Sequence, residues 1–319
     1  MSTIYFDFEF SDDARRKALY EGGIFTFSPR PSTQALCEHG RAMLDKAFAP
    51  HDPRTVQRSL PRERVVEILA KLKPEFIHHA TSKILIQRVL KDLGCDLEQL
   101  HFDVPRMRSA YPSDYLTSGI AYAFHPHRDT WYSAPFCQLN WWLPMYDIVP
   151  ENCLGLHPRY FSEPVENNSE IYNYYQWNAK NRASAHEHIK EDTREQPKAQ
   201  KPIEREPMTR VLCEAGGLII FSGAQLHETV PNTSGVTRYS IDFRTVHQGD
   251  LENRRGARNV DSRCTGTTLR DYLRGTDIAH LPQDLIESYD DGSEVEGVLV
   301  HPENERAERE LAATIRSAA

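Results

Sequence analysis

Through the first hundred residues the apolar positions fall at helical spacing. One stripe starts from Ser32 and runs through Leu36, Met43, Leu44 and Phe48; a second holds Val65, Ile68, Leu69 and Leu72; a third holds Ile77, Ile84, Leu85 and Val89. Side chains three and four residues apart share a helix face, so each stretch predicts an amphipathic helix packed on a neighbour. Gly94 is placed to stop the last of them. Residues 20–27, with Gly22-Gly23, predict an edge strand. Beyond residue 100 the period changes to two. Residues 102–111 read as an early strand with Arg106 and Arg108 on one face. Residues 136–144 read as the next, with Gln138, Asn140 and Trp142 on one face and Cys137, Leu139, Trp141 and Leu143 on the other. Residues 218–221 follow the Gly216-Gly217 turn signal as a short buried run, and Pro231-Asn232-Thr-Ser-Gly235 is turn chemistry ahead of a strand over residues 237–246. In that strand Tyr239, Ile241 and Phe243 share one face, and Arg238, Ser240, Asp242 and Arg244 the other. Such a polar row is either a solvated face with surface ion pairs or a buried face that a partner or ligand must satisfy.

The strands carry a candidate metal site. His127 and Asp129 stand two residues apart in Phe124-His125-Pro-His127-Arg128-Asp129-Thr-Trp131, so in an extended chain both point to one side, with Arg128 turned away. Two neutral imidazoles and one hard carboxylate, with coordination positions left open, suit a divalent first-row metal and above all non-haem Fe(II). With 14 histidines and 46 acidic residues, an isolated His-x-Asp carries little weight. His227, far downstream, supplies the second imidazole. His125 has strand spacing to His127 and is the alternative ligand; with His227 available, His127 and Asp129 are preferred and His125 becomes a supporting or packing residue. Trp131, just past the pair, either covers the site or packs in the core. Trp141 and Trp142 are read as packing.

The order His127, Asp129, His227, then Thr229 two residues later and Arg238 eleven later, resembles the Fe(II)- and 2-oxoglutarate-dependent dioxygenases, in particular their phytanoyl-CoA hydroxylase-like branch. The match covers about residues 120–246. One departure is the lack of a clear Pro-Gly-Ser-His segment after the first ligand pair; Asn152-Cys-Leu-Gly-Leu-His157-Pro158 occupies its place. The resemblance implies a double-stranded β-helix, a jelly-roll, cupin-like core that is mainly β with α and is buttressed here by the N-terminal helices. It implies that His127, Asp129 and His227 ligate Fe(II) and that 2-oxoglutarate chelates the metal. Arg238 would hold the far carboxylate, with Thr229 adding a hydroxyl and Gln138 and Asn140 candidate contacts. O2 would be consumed, with succinate and CO2 released, and a ferryl oxidant would hydroxylate the substrate. The carboxylate of Asp129 speaks against halogenation, which needs a small residue there. A cupin-like metal enzyme that uses no oxo-acid, dioxygenase or isomerase, is the alternative, and it has no need of Arg238 and Thr229.

Residues 159–209 form a long polar insertion with an aromatic cluster at Tyr172, Tyr174, Tyr175 and Trp177 and then a charged run. A long irregular segment inside a domain is commonly a lid or disordered, and the aromatic content predicts a lid over the barrel mouth. Candidate substrate residues are therefore Arg106, Arg108, Trp131, Tyr174, Trp177 and Arg244, and with Arg159 they suggest a small, polar, anionic metabolite. Residues 249–319 form a polar extension with helical hints at 268–273 and 303–315, so the chain reads as one elaborated domain: helical support over 1–100, catalytic core over 101–248, then the extension. A net charge of −8 and a pI near 6.0 argue against a nucleic-acid partner. No apolar run is long enough for a membrane span, and no basic-then-apolar N-terminus predicts secretion. Six scattered cysteines without Cys-x-x-Cys fit reduced thiols in the cytoplasm.

Overall fold

The apolar stripes become helices in the computed structural model, which describes residues 3–189 and 191–299. The helices are α1 (Asp12–Tyr20), α2 (Pro31–Phe48), α3 (Arg62–His78) and α4 (Ala80–Asp92). The third stripe is divided between two of them. The backbone turns extended at His79, so Ile77 closes α3 while Ile84, Leu85 and Val89 ride on α4. Gly94, with φ +68°, takes the left-handed position just past the end of α4. Helix α1 has no apolar stripe to announce it: its buried residues are Arg15, Arg16 and Leu19, and Arg16 is held by Asp250 at 2.7 Å.

The strands are β1 (Ile4–Phe6), β2 (Ile24–Phe27), β3 (Leu100–Phe102), β4 (Arg106–Ala110), β5 (Leu139–Pro144), β6 (Leu154–Leu156), β7 (Thr209–Arg210), β8 (Leu218–Ser222), β9 (His227–Thr229), β10 (Arg238–His247) and β11 (Leu273–Arg274). They form a large sheet ordered β1-β2-β8-β5-β10-β3-β11, with β4 also on β10, and a small sheet ordered β7-β6-β9. Every pairing is antiparallel except β1 with β2. Two facing antiparallel sheets buttressed by N-terminal helices make the jelly-roll core that the motifs imply. Several expectations need correction. Strand β2 is not an edge, because β1 covers it on the side away from β8. The strand expected over residues 102–111 is broken into β3 and β4 around Pro105, which has no N–H for a ladder. The helical hint at 268–273 is one 3-10 turn, Thr268–Asp271, followed by β11. The hint at 303–315 lies outside the described residues.

Alternation along β10 decides what the large sheet does. Tyr239, Ile241 and Phe243 join Trp141, Leu143 and Ile220 in one core with Leu36, Leu44, Leu69, Phe76 and Ile86 of the helices. Burying each such side chain is worth about 1.5–3 kcal/mol, so the helices belong on that face. The other face turns Arg238, Asp242 and Arg244, with Asn140 and Trp142 of β5, into a cavity. The small sheet lines the same cavity through Leu154, His227 and Thr229.

Candidate active site

His127 and His227 are brought together by the backbone. Each donates its N–H to the other's carbonyl at 2.9 Å, a bridge between the two segments. Asp129 is not on a strand: it opens the 3-10 turn Asp129–Tyr132, with its N–H on the Gly223 carbonyl at 2.9 Å. Strand alternation therefore predicted the convergence for a reason that applies only to its first residue. The three side chains are buried, and one donor atom from each lies within 4.8 Å of the others. Asp129 Oδ1 is 3.6 Å from His127 Nε2 and 3.7 Å from His227 Nε2.

Protonation favours a metal at their centre. His127 Nδ1 lies 2.8 Å from the His125 carbonyl and His227 Nδ1 3.0 Å from that of Gln225, so each Nδ1 carries the proton and each Nε2 presents a lone pair. Burial and the neighbouring His127 push His227 down to about 3, which keeps it neutral. Burial alone would raise Asp129, but the Arg244 guanidinium outweighs it and holds the carboxyl well below its usual range. Two imidazole nitrogens and one carboxylate oxygen facing a shared point are the donor set that suits Fe(II).

The other oxygen of Asp129 is held by the protein. Gln138 Nε2 donates to Oδ2 at 2.9 Å and Arg244 Nε at 3.3 Å. Gln138 is itself fixed: its Nε2 also reaches Asn140 Oδ1 at 2.9 Å, and Tyr272 donates to its Oε1 at 2.8 Å. Gln138, expected as a co-substrate contact, lines the cavity with its amide engaged in orienting Asp129. Gln138→Leu is expected to weaken metal binding about 10- to 100-fold, read by titrating Fe(II) anaerobically into variant and wild type.

Three other residues fall away from the site. His125 is exposed and lies outside the donor cluster. Trp131 is fully buried, but it packs with Tyr160, Val165 and Leu226 and donates to Asp261 at 2.7 Å, so it is a core residue that does not line the cavity. Arg159 is exposed and paired with Glu163 and Glu204. Arg128 does turn away from the donors, as alternation predicts. It is buried, pairs with Asp261 at 3.1 Å, and donates to the carbonyls of Ala224, Tyr160 and Glu163. It thereby fastens the start of the insertion behind the site. Arg128→Ala leaves Asp261 and three carbonyls short of a donor in the interior and is expected to cost about 3–5 kcal/mol, measurable by urea denaturation.

The cavity in front of the donors measures about 350 Å³. Arg106, Arg108, Asn140, Thr229, Arg238 and Arg244 line it, and the insertion contributes Tyr174 and Trp177. Arg106 is paired with Asp103, and Arg108 with Asp242 at 2.6 Å. Arg244 reaches Asp103, Asp129 and Asp242 at 3.3–3.5 Å. Arg238 differs. It is 5% exposed, its guanidinium stacks 5.4 Å over Trp142, and its Nε and Nη1 are buried without a hydrogen-bond partner among the described residues. Burial pushes it down to about 10. A buried guanidinium with idle donors is costly unless an anion meets it. The cavity is also lined by Tyr172 of the insertion's aromatic cluster and by Lys73, Tyr132, Arg182 and Tyr272, which sequence reasoning did not single out. Tyr132 ends the 3-10 turn that Asp129 opens, whereas Lys73, Arg182 and Tyr272 arrive through tertiary contacts from α3, the insertion and the C-terminal extension.

Comparison with known proteins gives a family match. The family model described as phytanoyl-CoA dioxygenase (PhyH) matches residues 23–240. No curated protein matches the chain significantly. Among solved structures, a non-heme monooxygenase, ThoJ in its apo form, is 13% identical over 96% of this chain and 96% of its own, with a TM-score of 0.41. The epimerase SnoN in complex with Fe3+, alpha ketoglutarate and nogalamycin RO is 14% identical over 74% of this chain and 85% of its own, with a TM-score of 0.38. EvdO2 from Micromonospora carbonacea var. aurantiaca is 12% identical over 75% of this chain and 94% of its own, with a TM-score of 0.41.

Proposed function

The chain belongs to the phytanoyl-CoA dioxygenase family, the oxygenases that use Fe(II), 2-oxoglutarate and O2, and from that premise we propose that it hydroxylates a small polar metabolite at the site described above. His127, Asp129 and His227 hold the iron, and Arg238 holds the far carboxylate of 2-oxoglutarate. The observation that carries this reading is the buried Arg238 guanidinium, with two idle donor nitrogens, in the same cavity as the donor cluster. A dicarboxylic co-substrate supplies the missing partner, and a metal enzyme without an oxo-acid would leave it unmet. Thr229, on the same strand as His227, lines the cavity and offers a hydroxyl to that carboxylate. Asn140 offers an amide.

With iron and 2-oxoglutarate in place, the site supplies an oxidant able to take hydrogen from a C–H bond, with succinate and CO2 as products. The chain's own residues prepare for this. The backbone carbonyls of His125 and Gln225 hold the two Nδ1 groups, which turns each Nε2 toward the donor centre. Gln138 and Arg244 orient Asp129 so that one oxygen stays directed at the donors. Tyr132, Tyr172, Tyr174 and Trp177 build an aromatic wall that limits water around the reacting C–H bond. No helix among the described residues is long and apolar enough to cross a membrane. All six cysteines are free, in keeping with a cytoplasmic site of action.

The test is succinate formation. Purified protein with Fe(II), ascorbate and 2-oxoglutarate is expected to release succinate only when O2 is present, with faster release when a substrate is added from a metabolite panel. Hydroxylated product carrying one atom from 18O2 is expected by mass spectrometry; a product without 18O would mean desaturation, ring closure or epimerisation in place of hydroxylation. No succinate under any of these conditions contradicts the proposal.

A further inference from the structure

The charges around the cavity do not balance. Seven basic side chains and four carboxylates line it. Arg106, Arg108 and Arg244 have carboxylate partners within the cavity, and Arg194 is paired with Asp192 at 2.6 Å. Asp271 accepts from the Tyr174 hydroxyl and the Leu299 N–H, and Arg182 acts on it only at longer range, without a bond between them. Among the described residues, three basic side chains remain without a paired carboxylate: Arg238, Arg182 and Lys73. A divalent metal and a doubly charged 2-oxoglutarate cancel, so the filled site keeps the surplus that the apoprotein has.

Arg182 repeats the signature of Arg238. Its side chain lines the cavity, its Nε is buried without a hydrogen-bond partner, and its guanidinium has no hydrogen bond or ion pair among the described residues. The backbone around it is seated tightly. Arg182 N–H caps the turn at Trp177, and the following 3-10 segment, Ala183–Glu187, rests on Gly119. A Cβ at Gly119 would stand 2.4 Å from the Ala185 carbonyl oxygen and 2.3 Å from that of His188, and φ there is +59°, so the close approach requires glycine. Arg194, from later in the insertion, braces the same region with a hydrogen bond to the Asn181 carbonyl at 3.1 Å and its guanidinium 5.2 Å over Trp177. The idle guanidinium is therefore carried on fixed backbone. Lys73, on α3, is bound only to neutral oxygens, the Ile120 carbonyl at 2.5 Å and Ser109 Oγ at 3.4 Å. Burial and the neighbouring Arg108 push its ammonium down to about 7, as expected where the wall is short of negative charge.

We infer that Arg182 and Lys73 form an anion subsite for the primary substrate, and that the substrate carries a carboxylate or phosphate group which the insertion reads through Arg182. This rests on the reading of Arg238, which assigns the third unpaired cation to the co-substrate. It gives the insertion a specificity role: the aromatic wall encloses the body of the substrate, and Arg182 fixes its charged end, so the C–H bond to be attacked lies between that end and the donor cluster.

The test is calorimetric and needs no turnover. Protein loaded with redox-inert Mn(II) and saturating 2-oxoglutarate, so that Arg238 is already occupied, is titrated with inorganic phosphate and separately with acetate. Wild type is expected to bind at least one, and the stronger of the two identifies phosphate or carboxylate as the group recognised. Arg182→Ala is expected to weaken that binding tenfold or more, and Arg182→Lys to restore part of it. Affinity for 2-oxoglutarate, measured on the same Mn(II) protein, is expected to stay within about twofold in both variants. No binding of either anion to wild type, or equal binding to wild type and Arg182→Ala, overturns the inference. Failure of wild type to bind 2-oxoglutarate would instead contradict the role given to Arg238, and anion binding lost in Arg182→Ala would still uphold the subsite.

Discussion

Asp129→Ala is expected to abolish turnover while the protein stays folded. The substitution removes the only carboxylate of the donor cluster. A metal centre contributes several kcal/mol of transition-state stabilisation, so loss of productive metal should slow succinate release by more than about a thousandfold. Stability should change little, because Arg244 keeps Asp103 and Asp242 as partners at 3.5 and 3.4 Å. Succinate assays paired with a thermal melt check both halves. Retained turnover would reassign the ligand set, and a collapsed melt would make Asp129 a structural residue.

Arg238→Ala is expected to act on the co-substrate. Losing one partner of a buried, hydrogen-bonded charge pair costs about 2–5 kcal/mol, so the KM for 2-oxoglutarate should rise about a hundredfold or more. Arg238→Lys should recover part of that, since an ammonium keeps the charge but lacks the planar fork that meets a carboxylate through two bonds. The metal-free protein should not be destabilised by the alanine variant, because the guanidinium it removes has idle buried nitrogens and only the Trp142 stack to lose. A residue kept for packing would behave in the opposite way, with a lower melting temperature and an unchanged KM.

The elements best announced by the sequence are those in which one periodic face is apolar. Helices α2, α3 and α4, and strands β5, β8 and β10, bury such faces, and their side-chain alternation could be read directly: Tyr239, Ile241 and Phe243 face the helices while Arg238, Asp242 and Arg244 face the cavity. Helix α1 could not be read this way, because its buried face carries two arginines whose distant partners lie far away in sequence, Asp250 for Arg16 and the Leu93 carbonyl for Arg15. The short His-x-Asp spacing pointed to the donor cluster, yet what places Asp129 is a 3-10 turn held by Gly223, a contact across 94 residues that local pattern does not encode. Trp131 illustrates the converse. Its nearness in sequence to the donors suggested a place in the site, but the same turn directs its ring outward to Leu226 and Asp261. Arg182 lies in a run of charged residues with no periodicity, and only the seating of the insertion on Gly119 gives it a cavity to face.

The central claim is that one pocket binds iron through His127, Asp129 and His227 and grips 2-oxoglutarate through Arg238. Its most direct test is the visible spectrum of the anaerobic protein as Fe(II) and then 2-oxoglutarate are added. A metal-to-ligand charge-transfer band should grow in wild type on the second addition, stay absent in Asp129→Ala, and require far more 2-oxoglutarate in Arg238→Ala. Wild-type protein that takes up Fe(II) but shows no band at saturating 2-oxoglutarate, or a band equally strong in all three proteins, would contradict it.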